Sequence, residues 1–231
     1  MRRPPPYRRA LALVALLLLG APALAAGEVE GERLLYRWRL LGFFGAISSL
    51  FFPANGEGEL TSRPQADGHL VNELLITSRA SETADFFRYG AELDPASGRT
   101  LRVWSSQLWR GKRKEKASPI DAAGVVDIAS AIALLRRERP ATVRQLEIWS
   151  DGRLYPIAVH PEGRETRTVL GRKVTARRYA VRPVELPGRR VWKGELDLWL
   201  AEDAVATPVE ILVARPPARV RLEIVGFGGG G

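Results

Sequence analysis

The sequence predicts a mainly β fold, an antiparallel sandwich or a strongly curved open barrel of about a dozen strands with one amphipathic helix packed on the sheet. Three observations carry this. Most of the chain alternates apolar and polar residues with a period of two. The alternating runs are joined by short Gly, Asp and Pro links, above all Asp151-Gly152. A single stretch, 127–139, repeats its apolar residues at helical spacing instead.

The first 25 residues are of another kind. Arg2, Arg3, Arg8 and Arg9 precede an apolar run from Ala10 to Leu19, and the small-x-small triplet Ala23-Leu24-Ala25 follows. This is the pattern of a secretory signal peptide, with cleavage expected after Ala25, so the mature chain is expected to work outside the cytoplasm. The apolar run is about half the roughly 20 residues that a spanning helix needs. The arginine pairs suit a twin-arginine export signal as well as an ordinary one, and ordinary export is the simpler reading.

Removal of the signal takes away four positive charges and lowers the net charge from +9 to +5. That balance favours anionic surfaces but lacks the concentrated charge of a nucleic-acid binder, and none is expected as a partner. With no cysteine there is no disulfide and no thiol for lipid attachment, so an apolar core must supply the stability. A domain of about 200 residues buries roughly 70% of its unfolded surface and can do so. One β-rich domain, 26–225, is therefore expected, followed by a flexible Gly-rich tail, 226–231.

The elements follow in order. Leu34, Tyr36, Trp38 and Leu40 alternate with Arg37 and Arg39, a half-buried strand. Similar runs cover 57–63, 69–79, 86–93, 100–110 and 112–118, punctuated by Asp94-Pro95 and Ser97-Gly98. Strands 143–150 and 153–160 flank Asp151-Gly152, a strong hairpin signal. The series resumes at 164–170, 173–182, 191–200, 208–215 and 218–225. Between the two halves, Ile128, Ala131, Ile132 and Leu135 share one face of a helix over 127–139. Asp127 suits its N-cap, three arginines suit its C-terminal dipole, and Pro140 stops it.

The segment Asp127-x-x-Ser130-Ala131-x-x-x-Leu135-Arg136 resembles the helix of a bacterial exported family, domain of unknown function 3108. Gly31-Glu32-Arg33-Leu34-Leu35-Tyr36 agrees with it, as do Asp151-Gly152-Arg153-Leu154-Tyr155 with downstream Gly163-Arg164-Glu165, and Leu198-Trp199-Leu200-Ala201-Glu202-Asp203 followed by Thr207-Pro208-Val209. The resemblance spans most of 31–225. It implies an envelope protein of the periplasm and carries no catalytic residues, because the family has no established activity. The aromatic segment Gly42–Phe52 departs from the family pattern, so a role placed there would belong to a subgroup.

Signatures of catalysis are sparse. His69 and His160 are the two histidines and no H-x-x-x-H or H-E-x-x-H spacing occurs, so neither a metal nor catalysis is expected at them. Glu195 and Asp197 share a strand face, which suits acid-base chemistry or simply solvent. No phosphate-cradling glycine motif occurs, and no cofactor is expected. The chain is read as a non-enzyme.

Two segments stand out instead. Arg110, Lys112, Arg113, Lys114 and Lys116 follow Trp104 and Trp109 and form either a contact for anionic lipid or a charged hairpin tip that blocks edge aggregation. Phe43, Phe44, Phe51 and Phe52 form either an exposed apolar patch or the two arms of a buried hairpin. With Trp38 they are the expected contacts of an apolar or lipid-like ligand held under the helix. The alternative is an envelope structural or assembly factor that uses the same surfaces on a protein partner, with membrane contact at most peripheral.

Overall fold

The computed structural model describes residues 31–41, 55–78, 85–109, 111–215 and 218–228. The expected signal peptide, Phe43, Phe44, Phe51, Phe52 and Arg110 lie outside the described residues.

The chain lays down β1 (Glu32–Leu40), β2 (Asn55–Pro64), β3 (Leu70–Ser78), β4 (Phe86–Asp94), β5 (Arg99–Trp109), β6 (Lys112–Ala123) and β7 (Val125–Val126). Helix α1 (Ile128–Glu138) comes next, then β8 (Arg144–Ser150), β9 (Arg153–Val169), β10 (Arg172–Pro183), β11 (Glu195–Ala201), β12 (Pro208–Arg215) and β13 (Ala218–Gly228). All thirteen strands form one sheet in the order β6-β5-β4-β3-β2-β1-β13-β12-β11-β10-β9-β8-β7. Each neighbouring pair is antiparallel except β7 with β8.

The two ends of that order, β6 and β7, are joined by one residue, Gly124, in the left-handed region at φ 75°. A sheet whose first and last strands are one residue apart must curl back on itself, and this one is a nearly closed barrel. Its seam is held by side chains. Thr100 Oγ1 of β5 donates to the Val125 carbonyl. Trp149 of β8 packs with Ala91 and Val103, against half-buried Ile120 and Leu154.

Alternation decides which residues fill the barrel. Leu34, Tyr36 and Trp38 point inward from β1, opposite Leu60, Gly58 and Gly56 of β2. A Cβ on Gly56 would collide with the Trp38 indole and the Thr77 carbonyl, so glycine is what lets the indole lie flat across β2. The Trp38 Nε1 donates to Thr77 O at 2.8 Å. The Tyr36 hydroxyl donates to Pro208 O at 2.8 Å, and burial pushes its pKa well above the ordinary phenol range.

Helix α1 lies on β3 and β4 and buries Ala129, Ala131, Ile132 and Leu135. Asp127 is its N-cap: the carboxylate accepts from Ser130 N at 2.8 Å while Ser130 Oγ accepts from Asp127 N at 2.8 Å. At the other end Arg139 takes a left-handed conformation, φ 44°, and donates its N–H to Leu135 O.

Four expectations need correction. The strands expected at 153–160 and 164–170 are one strand, β9, because Glu162 and Gly163 form a bulge opposite Arg178 rather than a break. His160 accordingly lies within a strand, paired with Ala180, and not at a strand end. Residues 191–194 precede β11 as loop, so Trp192 is turned into the barrel by the loop and not by strand alternation. Gly226, Phe227 and Gly228, expected in the tail, pair with Leu35, Leu34 and Arg33 of β1.

The outer face of β10 to β13 is also covered. β9 reaches β13 although three strands lie between them in the sheet, so its distal end folds over that face. Arg167 of β9 sits 4.4 Å from the Trp199 ring centre and 3.4 Å from Glu210, and Arg178 covers the same ring at 5.3 Å. These arginine stems bury Asp197, Trp199 and Glu210 on a face that alternation alone marks as outward.

Candidate ligand-binding site

An apolar cavity of about 260 Å³ opens inside the barrel. Trp38 of β1, Leu74 and Ile76 of β3, Phe87 of β4, and Val213 and Val220 of β12 and β13 supply its apolar wall. Ile128, the first residue of α1, adds to it, so the capped helix end is part of the site. Trp192 closes one side. It is buried because Gly194, two residues on, has no Cβ: one there would collide with the indole.

A second hollow, an open groove of about 640 Å³, adjoins the cavity. Lys114, Ser150, Asp151 and Trp192 line both. The rest of its wall includes Lys116, Arg153, Tyr155, Arg190 and Lys193. The Asp151-Gly152 turn of the β8-β9 hairpin forms the corner between the hollows, with φ 53° and 81° at its two residues as a two-residue hairpin requires. Lys116 Nζ donates to the Asp151 carbonyl, and Lys114 Nζ stands 3.7 Å from the Asp151 carboxylate. Thus β6 closes the barrel over this turn.

The expected site residues separate in the structure. Trp38 lines the cavity, while the four phenylalanines lie outside the described residues. Within the basic run, alternation along β6 sends Lys114 and Lys116 to the groove and Arg113 to the other side, paired with Glu115 at 2.6 Å. Lys112 is exposed at the start of the strand. Phe87, Trp192, Arg153, Arg190 and Lys193 were not anticipated. The one sequence signal for Trp192 was the glycine at 194; the cations come from separate elements and only the fold collects them.

Acid-base candidates do not converge. Glu195 is exposed, whereas Asp197 is held by Arg182 at 2.6 Å and Arg178 at 3.3 Å. His69 lies 3.1 Å from Asp67 and 3.0 Å from Glu92, and these three are the described residues that could hold a metal ion. None of them lines the cavity or the groove. Asp127 is buried at the N-cap, and desolvation pushes its carboxyl up to about 6 against the pull of its hydrogen bonds from Ser130.

No family model matches the chain, and no curated protein matches it. Among solved structures it is similar to a β-barrel-like protein of domain of unknown function DUF1849 from Brucella abortus, with 12% identity and a TM-score of 0.55 over 87% of this chain and 98% of that one. This likeness shows the fold. LprF from Mycobacterium bovis aligns over 86% of each chain with 10% identity and a TM-score of 0.32, too slight a likeness to carry an argument.

Proposed function

We propose that this chain is a non-enzymatic periplasmic protein, exported by residues 1–25, that binds a lipid-like ligand in the barrel. The observation that carries this reading is the apolar cavity of about 260 Å³ walled by Trp38, Phe87 and Trp192. Cores of this size are normally filled, and a hollow of apolar lining in a barrel is the ordinary form of a small-ligand site. The absence of His69, His160, Glu195 and Asp197 from the walls of both hollows favours binding over catalysis. The helix that resembles one in domain of unknown function 3108 supplies one wall through Ile128.

The volume sets the scale of the ligand. A methylene occupies about the space of a water molecule, roughly 30 Å³, so the cavity of about 260 Å³ accepts one segment of roughly nine carbons. Burying it is worth about 7 kcal/mol at ~0.8 kcal/mol per methylene. Association costs about 4 kcal/mol or more. A tail alone therefore binds weakly.

Native mass spectrometry of the protein purified from its own envelope tests this reading. An adduct in the mass range of a single acyl chain or a lysolipid is expected. Repeated recovery of ligand-free protein together with a tightly bound envelope protein contradicts it.

A further inference from the structure

We infer that the groove beside the cavity is a headgroup subsite, and that the ligand is an amphiphile with an anionic head, a carboxylate or a phosphate. This rests on the reading of the cavity as a tail site.

The groove brings five cations, Lys114, Lys116, Arg153, Arg190 and Lys193, around a single carboxylate, that of Asp151. They arrive from three places: the β5-β6 hairpin, the start of β9, and the loop before β11. Such convergence is unlike a solvated charge run, in which like charges spread along one exposed strand. Asp151 engages the two lysines of β6. Arg153, Arg190 and Lys193 make no ion pair among the described residues, so their charge is available to a ligand. Tyr155 and Ser150 add hydroxyls that can donate to an oxyanion.

The continuity of the two hollows makes this a headgroup subsite and not a separate anion site. Trp192, Ser150, Asp151 and Lys114 form walls of both, so a molecule whose tail lies against Trp38 and Ile76 emerges among the cations. Trp192 is suited to that boundary, since its large ring is buried while its neighbours Val191 and Lys193 are exposed. Charge-assisted hydrogen bonds from arginine to an oxyanion supply what the short tail lacks. Membrane anchoring is not required: the anion is part of the bound molecule.

The test compares ligands of one chain length on the full mature chain after delipidation: decanoate, decyl phosphate, decanol and inorganic phosphate, by titration calorimetry. The ten-carbon chain matches the cavity. Decanoate or decyl phosphate should bind at least about tenfold more tightly than decanol, a gap of about 1.4 kcal/mol, and the gap should shrink in high salt. The tighter of the two acids identifies the head. In the triple variant Arg153→Gln, Arg190→Gln, Lys193→Gln the acids should fall to the affinity of decanol while decanol is unchanged, which also shows that the variant is folded. If decanol binds as tightly as both acids, the headgroup inference is overturned and the cavity reading stands. If inorganic phosphate binds as tightly as decyl phosphate, the groove is an independent anion site and the inference is again overturned. If no ten-carbon ligand binds, the cavity reading fails and the inference with it.

Discussion

Arg136, in the last turn of α1, grips Glu32, the first residue of β1, through both terminal guanidinium nitrogens, one at 2.7 Å. The same guanidinium donates to Ala206 O at 3.2 Å and Val205 O at 3.3 Å before β12. It therefore ties the helix to β1 and to the β11-β12 turn at once. The whole D-x-x-S-A-x-x-x-L-R motif is explained in this way: Asp127 and Ser130 cap the helix, Ala131 and Leu135 are buried, and Arg136 clamps it. Together these contacts hold the helix whose first residue, Ile128, lines the cavity.

Arg136→Ala should destabilise the fold by about 2 to 3 kcal/mol, because it frees a half-buried carboxylate and two carbonyls together. Arg136→Lys should recover less than half of this, since an ammonium cannot make the two-pronged contact. Chemical denaturation of the purified variants measures both.

Gly56→Ala should cost about 1 to 3 kcal/mol by overpacking, because its methyl would meet the Trp38 ring and the Thr77 carbonyl. It should also move Trp38, which lines the cavity, and so weaken ligand binding. Denaturation and tryptophan emission report the two effects separately. An unchanged stability would show that β2 can shift to admit the methyl.

The strand pattern was legible because the fold is one long meander in which neighbours in sequence are mostly neighbours in the sheet. Where the structure departs from the alternating pattern, another force outweighs periodicity. β7 has two residues and no period to detect. The Pro161-Glu162-Gly163 run looked like a break but is absorbed as a bulge in β9. Trp192 looked like a strand residue but is placed by its loop. Trp38 was legible as an inward-facing residue because it sits on a clean alternating strand. The groove was not, since Lys114, Arg153 and Arg190 are distant in sequence and meet only when the sheet closes.

Asp127 makes stability depend on pH in a defined direction. Its folded-state carboxyl titrates at about 6, above its ordinary 3.8, so the folded state holds the proton more tightly. This contribution is fully present below about pH 3.8 and is lost as pH rises through about 6, by on the order of 3 kcal/mol. Asp127→Asn keeps a good N-cap and removes the titration. The stability difference between variant and wild type should thus grow in the variant's favour from pH 4 to 7. A pH-independent difference would contradict the buried-carboxyl account.

The most direct test of a lipid-like ligand in the barrel is native mass spectrometry of the wild type beside Ile76→Trp, a change that fills the cavity from the wall of β3. An acyl-sized adduct is expected on the wild type and none on the folded variant. Equal adducts on both proteins, or a wild type that carries none, would contradict it.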